Sequence, residues 1–199
     1  MLIKKINDVP LQMLNDAVSE IDKINWDSID DGRSKRTIAF ASSKTIQIRI
    51  HKQPKQLYSN VHDWGNIVET ENHPIHFKIF PNVINLANWV LDKVSGKTLG
   101  RVFVAKLNPQ GIIHPHIDSG KYFEVHSRFH IPVCTTSNAV FLENLNDTEN
   151  SEHMEKNCLY QLNNSVLHGF KNDCRESRIH LIIDIDLDRI NNSKNFEYN

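Results

Sequence analysis

The chain has 199 residues, enough for one buried core. Hydrophobic residues make up 39% and charged residues 24%, and Lys+Arg 23 against Asp+Glu 24 leave a formal net charge of −1, which excludes the strong single-sign field that holds nucleic acid or anionic lipid. The longest apolar runs, such as 179–185, are broken by His180 and Asp184 and are too short to cross a bilayer; Met1-Leu2-Ile3-Lys4-Lys5 turns polar at Asn7 and Asp8, without a secretory leader's apolar centre, so a cytoplasmic protein is expected.

In chain order, Asp8 as N-cap and Pro10 in the first turn open a predicted helix. Leu11, Leu14, Val18 and Ile21 form its apolar stripe, opposite Asn15, Asp16, Ser19 and Asp22. Thr45-Ile46-Gln47-Ile48-Arg49-Ile50 alternates with period two and predicts a half-buried strand. Residues 51–81, which contain Pro54, Gly65 and Pro74, predict a long irregular excursion. A second helix is predicted from about Asn82, with Val83, Leu86, Ala87, Val90, Leu91 and Val94 on one face and Ser95-Gly96 as its stop.

From residue 100 the pattern changes to short strands, predicted at 101–107, 128–134, 139–143, 159–162, 166–170 and 178–185. Evenly spaced strands of this kind imply an antiparallel sandwich or barrel, with the two helices on its outer face. The expected organisation is one domain, 1–199: helical cover and substrate-side strands over 1–99, a β core over 100–188 and a polar tail over 189–199. Cys134, Cys158 and Cys174 are odd in number and widely spaced, which argues against a disulfide framework or a zinc knuckle. The histidines number 11, and His114, His116, His126, His130, His153, His168 and His180 all lie in the second half.

His116-Ile117-Asp118 carries the first chemical signal, because in a strand residues two apart point to one side and present an imidazole and a carboxylate together. A remote His168 completes a set of two histidines and one carboxylate, which leaves one face of a metal open as iron(II) oxygenases require, although zinc accepts the same ligands. Arg178 opens the apolar strand Arg178-Ile179-His180-Leu181-Ile182-Ile183-Asp184, where a buried guanidinium calls for an anion, and a dicarboxylate would supply one. Arg128-Phe129-His130 places a second cation and imidazole on one face. Each has a plainer reading: Asp118 as a turn cap before Ser119-Gly120, Arg178 paired with Asp184 or Glu176, His114 as a rival ligand, and His126, His153 and His180 as structural or solvated, with His180 on the face opposite Arg178.

Together Leu107-x-Pro109-x-Gly111, Pro115-His116-x-Asp118, Arg128-x-His130-Ile131-Pro132, Leu159-Tyr160-x-Leu162-Asn163-Asn164, His168 and Arg178-Ile179-His180-Leu181-Ile182-x-Asp184 resemble the aspartyl/asparaginyl β-hydroxylase-like oxygenases, which include free-proline hydroxylases. The resemblance covers roughly 107–184. It implies a mainly β fold with flanking helices around a double-stranded β-helix (jelly-roll or cupin-like) core. It further implies an Fe(II)/2-oxoglutarate-dependent dioxygenase that hydroxylates a small polar substrate and releases succinate and CO₂. On the same basis His116, Asp118 and His168 would hold iron, Arg178 would bind the C5 carboxylate of 2-oxoglutarate, and Arg128 and His130 would assist co-substrate binding. Animal members of the family have a glycine where this chain has Asp118, which points to the small-molecule branch and away from a halogenase. A free amino acid such as proline is the expected substrate, with no nucleic acid or membrane partner, and Arg33, Arg36, Thr45, Arg49, His62 and Trp64 are the material available to choose it. The alternatives are hydroxylation of an Asp or Asn side chain in a protein, or a non-catalytic β-barrel that binds a small acid or a metal.

Overall fold

In a computed structural model that describes residues 2–29, 40–52, 66–142 and 151–187, the described strands form two antiparallel sheets. In chain order they are β1 (Ile3–Asp8), β2 (Ser43–His51), β3 (Thr70–Asn72), β4 (Thr98–Leu107), β5 (Ile112–His116), β6 (His126–Cys134), β7 (Ala139–Leu142), β8 (Glu152–His153), β9 (Cys158–Leu162), β10 (His168–Asn172) and β11 (Arg178–Asp186). The helices are α1 (Leu11–Ile21), α2 (His76–Ile79), α3 (Pro81–Lys93) and α4 (Lys121–Val125). The major sheet runs β1-β9-β6-β11-β4-β2-β3 and the minor sheet β5-β10-β7-β8.

Alternation along the major strands decides what each face meets. Ile46 and Ile48 of β2, Val102 and Val104 of β4, Phe129 and Ile131 of β6, and Leu181 and Ile183 of β11 share one core with Leu14, Ala17 and Ile21 of α1 and Val83, Leu86, Ala87 and Val90 of α3. The two predicted helices thus cover the outer face. The other face looks toward the minor sheet, and the apolar part between the layers is Leu107, Ile113, Phe141, Tyr160, Leu162 and Phe170. Two facing antiparallel sheets with helices on one outer surface are the mainly β, jelly-roll arrangement expected.

Several local readings change. Asp8 ends β1 and pairs with Lys5 at 2.9 Å instead of capping α1; the helix starts after Pro10, whose carbonyl accepts from Leu14 N at 3.0 Å, and no side chain caps it. β1 itself was hidden by its lysines, which an edge strand tolerates. The left-handed position at the end of α3 falls on Ser95, φ 52°, not on Gly96. Gly96 is required for space, since a Cβ there would lie 2.3 Å from Cγ2 of Ile185. The described part of the 51–81 excursion holds β3 and α2. The strand placed at 166–170 begins at His168. Position 143, the break at 144–150 and the tail at 189–199 lie outside the described residues. Cys134, Cys158 and Cys174 are free thiols, and among the described residues no helix is long and apolar enough to cross a membrane.

The helical layer is locked by Glu20 of α1, which is buried and accepts Asn82 N at 3.0 Å and Val83 N at 3.1 Å. A carboxylate at those unpaired N–H groups caps α3 and meets the positive end of its dipole. Glu20→Ala is expected to lower stability by about 1–2 kcal/mol, read as a shifted urea midpoint with unchanged slope; an unchanged midpoint would remove the cap from this account.

Candidate metal and co-substrate site

β10 lies between β5 and β7, and its register sets His168 directly across from His116. Phe170 faces Ile113 and Lys171 faces Ile112, so an unbroken ladder would place His168 opposite Pro115; a bulge between His168 and Phe170 moves it on by one residue. Gly169 makes room for that bulge, because a Cβ there would come within 2.8 Å of the Ile113 carbonyl. The two imidazoles end with ring centroids 4.5 Å apart.

Each ring is held the same way. His116 Nδ1 bonds the His114 carbonyl at 2.8 Å and His168 Nδ1 bonds the Val166 carbonyl at 2.9 Å. A carbonyl only accepts, so the proton sits on Nδ1 and Nε2 carries the free lone pair, the usual preparation of a metal-binding histidine. Burial pushes the His168 pKa down, favouring that neutral form. Asp118 follows the end of β5, so irregular chain rather than the pleat presents it, with Asp118 N donating to Asn164 O at 3.2 Å. Its Oδ1 is 3.8 Å from His116 Nε2.

One ligand atom from each of His116, Asp118 and His168 falls within 4.8 Å of the other two. Two ligands about 2.1 Å from a shared ion lie at most about 4.2 Å apart, so small side-chain rotations close the set. Two imidazoles and a carboxylate on one side of a divalent ion suit iron(II) and leave the other side open. His114, the rival ligand, is exposed and contributes only its carbonyl. Asp118 points at Arg128 rather than capping the turn at Ser119-Gly120.

Arg178 lines the same cavity as His116 and His168. It is 4% exposed, lies over the rings of Phe141 and Phe170 at 5.0 and 4.7 Å, and pairs with no carboxylate among the described residues. Burial lowers its pKa to about 9, which leaves it charged at neutral pH. Its bonds go to His180, Nε to Nε2 at 3.0 Å and Nη2 to Nδ1 at 2.9 Å. Residues two apart on a strand share a face, so His180 stands beside Arg178 and not opposite it. Nδ1 of His180 also lies 3.3 Å from Nδ1 of His130. His130 Nε2 is buried, and the described residues offer it no hydrogen-bond partner. Burial, reinforced by Arg178, pushes both imidazoles well down in pKa and keeps them neutral. One wall of the cavity thus presents a desolvated guanidinium and an unpartnered imidazole nitrogen, and the guanidinium suits a carboxylate ligand.

Arg128 also borders the cavity, but its fork is engaged: Nη1 meets Asp118 Oδ2 at 2.5 Å, and Nε and Nη2 meet Asp184 at 2.8 and 3.1 Å. Of the residues expected to choose the substrate, Thr45 lines the cavity. Arg49 instead bonds the Gly100 and Leu99 carbonyls, Thr70 Oγ1 and Asn72 Oδ1, while Arg33, Arg36, His62 and Trp64 lie outside the described residues. Sequence reasoning missed Arg101, Tyr122 and Phe40; the first two contact Asp184, and Phe40 sets its ring edge on His116, 5.3 Å between centroids. Only Arg101 left a trace, as the cation on the inward parity of β4 with Phe103 and Ala105.

A family profile described as Aspartyl/Asparaginyl beta-hydroxylase matches residues 25–187, while no curated protein matches the sequence significantly. Among solved structures, a prolyl hydroxylase from Trichoplax adhaerens in complex with a hypoxia inducible factor peptide superposes with a TM-score of 0.57 at 7% identity, over 98% of this chain and 86% of that one. HygX from Streptomyces hygroscopicus, with nickel, 2-oxoglutarate and hygromycin B bound, gives 0.52 at 10% identity over 92% and 81%. The viral collagen prolyl hydroxylase of Paramecium Bursaria Chlorella virus-1, as its 2-oxoglutarate complex, gives 0.51 at 11% identity over 93% and 96%. At such identities the three attest the fold, and the profile, which spans most of the sequence, places the chain in the aspartyl/asparaginyl β-hydroxylase family of Fe(II)- and 2-oxoglutarate-dependent oxygenases.

Proposed function

We propose that this oxygenase hydroxylates a C–H bond of a free amino acid such as proline, with Fe(II) on His116, Asp118 and His168 and 2-oxoglutarate on Arg178 and His130. The observation that carries the reading is the pairing, in one cavity, of three convergent metal ligands with a buried arginine that has no carboxylate partner among the described residues. A bound iron supplies the oxidising chemistry, coupled to oxidative decarboxylation of the co-substrate. The chain's own residues bind and orient. Arg178 takes the distal carboxylate and relieves its own burial, His130 donates to a second oxygen in the tautomer protonated at Nε2, and Phe141 and Phe170 keep water from the guanidinium.

Asp118 supports the small-molecule branch, because the protein-modifying animal members have a glycine there. Neighbours of the same fold hold both kinds of molecule, a peptide in the Trichoplax adhaerens complex and hygromycin B in HygX, so the fold does not choose between them. Protein prepared anaerobically with Fe(II) is expected to release succinate from 2-oxoglutarate faster with proline or another free amino acid than with Asp- or Asn-containing peptides. Stimulation by peptide alone would transfer the activity to protein side chains, and binding of 2-oxoglutarate without succinate under any condition would leave a non-catalytic module. His168→Ala is expected to reduce succinate release to background.

Arg178→Met is expected to raise the KM for 2-oxoglutarate at least tenfold with metal affinity unchanged, since loss of one partner of a desolvated ion pair costs about 2–5 kcal/mol. In the parent protein, 2-oxoglutarate at 100 times its Kd should stabilise the fold by about 2.7 kcal/mol, a thermal shift that this variant should lose. Wild-type KM in Arg178→Met would place the co-substrate elsewhere.

A further inference from the structure

Behind the metal ligands lies a buried chain of charges that the reaction itself does not use. Asp184, on the inner face of β11, is 1% exposed. It accepts Nε and Nη2 of Arg128 at 2.8 and 3.1 Å, Nε of Arg101 at 3.1 Å and the Tyr122 hydroxyl at 3.2 Å, and it forms an ion pair with Arg101 Nη2 at 3.0 Å. Tyr122 in turn accepts Arg101 N at 2.8 Å. Gly100 leaves space for this arrangement: a Cβ there would lie 2.5 Å from the Tyr122 oxygen and 3.0 Å from the Asp184 carbonyl. The remaining end of the Arg128 fork, Nη1, meets Oδ2 of Asp118 at 2.5 Å.

We infer that Asp184 is a positioning residue for the metal centre: through Arg128 it fixes Asp118 and occupies Oδ2, so that only Oδ1 is offered to the ion. The inference rests on the metal site proposed above. It has a chemical consequence. A carboxylate that chelates with both oxygens takes two coordination positions, whereas one held at Oδ2 by a guanidinium takes one. His116, Asp118 and His168 would then each give a bound ion one ligand atom and leave the rest of its sphere free for a chelating co-substrate. Arginine suits the task because its planar fork engages two carboxylates at once, which a lysine ammonium on a flexible stem does not do with fixed geometry.

Anaerobic titration with Co(II), followed by its visible absorption, tests the relay without turnover. Asp184→Asn and Arg128→Lys are expected to weaken Co(II) binding at least tenfold, the scale seen when partners of metal ligands are removed, and to alter the absorption bands as Asp118 gains freedom to chelate. In an Asp118→Asn background, Asp184→Asn should cost little more. Arg128→Lys carries the test if Asp184→Asn fails to fold, since it leaves a cation beside Asp184. Glu20→Ala controls for general destabilisation and should keep wild-type Co(II) affinity and spectrum. Wild-type affinity and bands in Arg128→Lys, or an undiminished effect of Asp184→Asn without Asp118, would overturn the relay while leaving the metal site standing. If the parent protein takes up no Co(II), the metal site itself falls and the relay with it.

Discussion

The bulge in the β5–β10 ladder is the constraint on which the site depends. Side chains alternate along a strand, so a shift of one residue sends every one to the other face. The register of Phe170 with Ile113 serves the apolar packing between the sheets, but extended without interruption it would oppose His168 to Pro115. The extra residue on β5 reconciles the two demands: packing is satisfied on one side of the bulge and the pairing of His168 with His116 on the other. Pro115, which has no N–H to give a ladder, and Gly169, whose missing Cβ admits the close carbonyl, are the residues that make the irregularity tolerable.

The polar inner face follows from the same alternation. β11 buries Leu181 and Ile183 against the helices and turns Arg178, His180 and Asp184 inward. Burying that many polar groups is costly unless they satisfy one another, and they divide into two sets. Around Asp184, two carboxylates balance two guanidiniums. Burial alone pushes the Asp184 pKa up, yet Arg128 and Arg101 hold it well below the usual carboxylate range, and at Arg128 the facing carboxylates of Asp118 and Asp184 outweigh burial. Around Arg178 the balance is left open, with neutral imidazoles and aromatic rings where a carboxylate would be expected. A closed set suits a support and an open one suits a binding site.

Legibility in the sequence tracked how local each determinant is. The apolar stripes of α1 and α3, the period-two strands and the ordered ligand motif depend on spacing along the chain, and their elements appear in the structure. His116, Asp118 and His168 could be nominated because residue chemistry and motif order suffice for that. Their meeting point could not be read, since it depends on a bulge and on the pairing of residues 116 and 168 from strands distant in the chain. β1 was obscured because Lys4 and Lys5 interrupt its apolar alternation, and Asp8 does not cap α1 because it pairs with Cys158 at the end of that strand and with Lys5. The partners of Arg128 were unreadable for a related reason: Asp118, Asp184 and Arg101 come from separate segments, and only the fold shows which carboxylates take the fork.

The contrast between the two arginines bears on how the site distinguishes its ligands. Arg128 and Arg178 are equally removed from water, 6% and 4% exposed, and both border one cavity. Sequence chemistry gives them the same potential to bind a carboxylate. What separates them is supply: β11 offers Asp184 to Arg128 in direct cross-strand register, while opposite Arg178 stands Leu107 of β4. An incoming dianion therefore finds one arginine already neutralised and the other still desolvated and unmatched. On the proposed reading its orientation would follow from that difference: the distal carboxylate would gain most at Arg178, and the other end would face His116, Asp118 and His168.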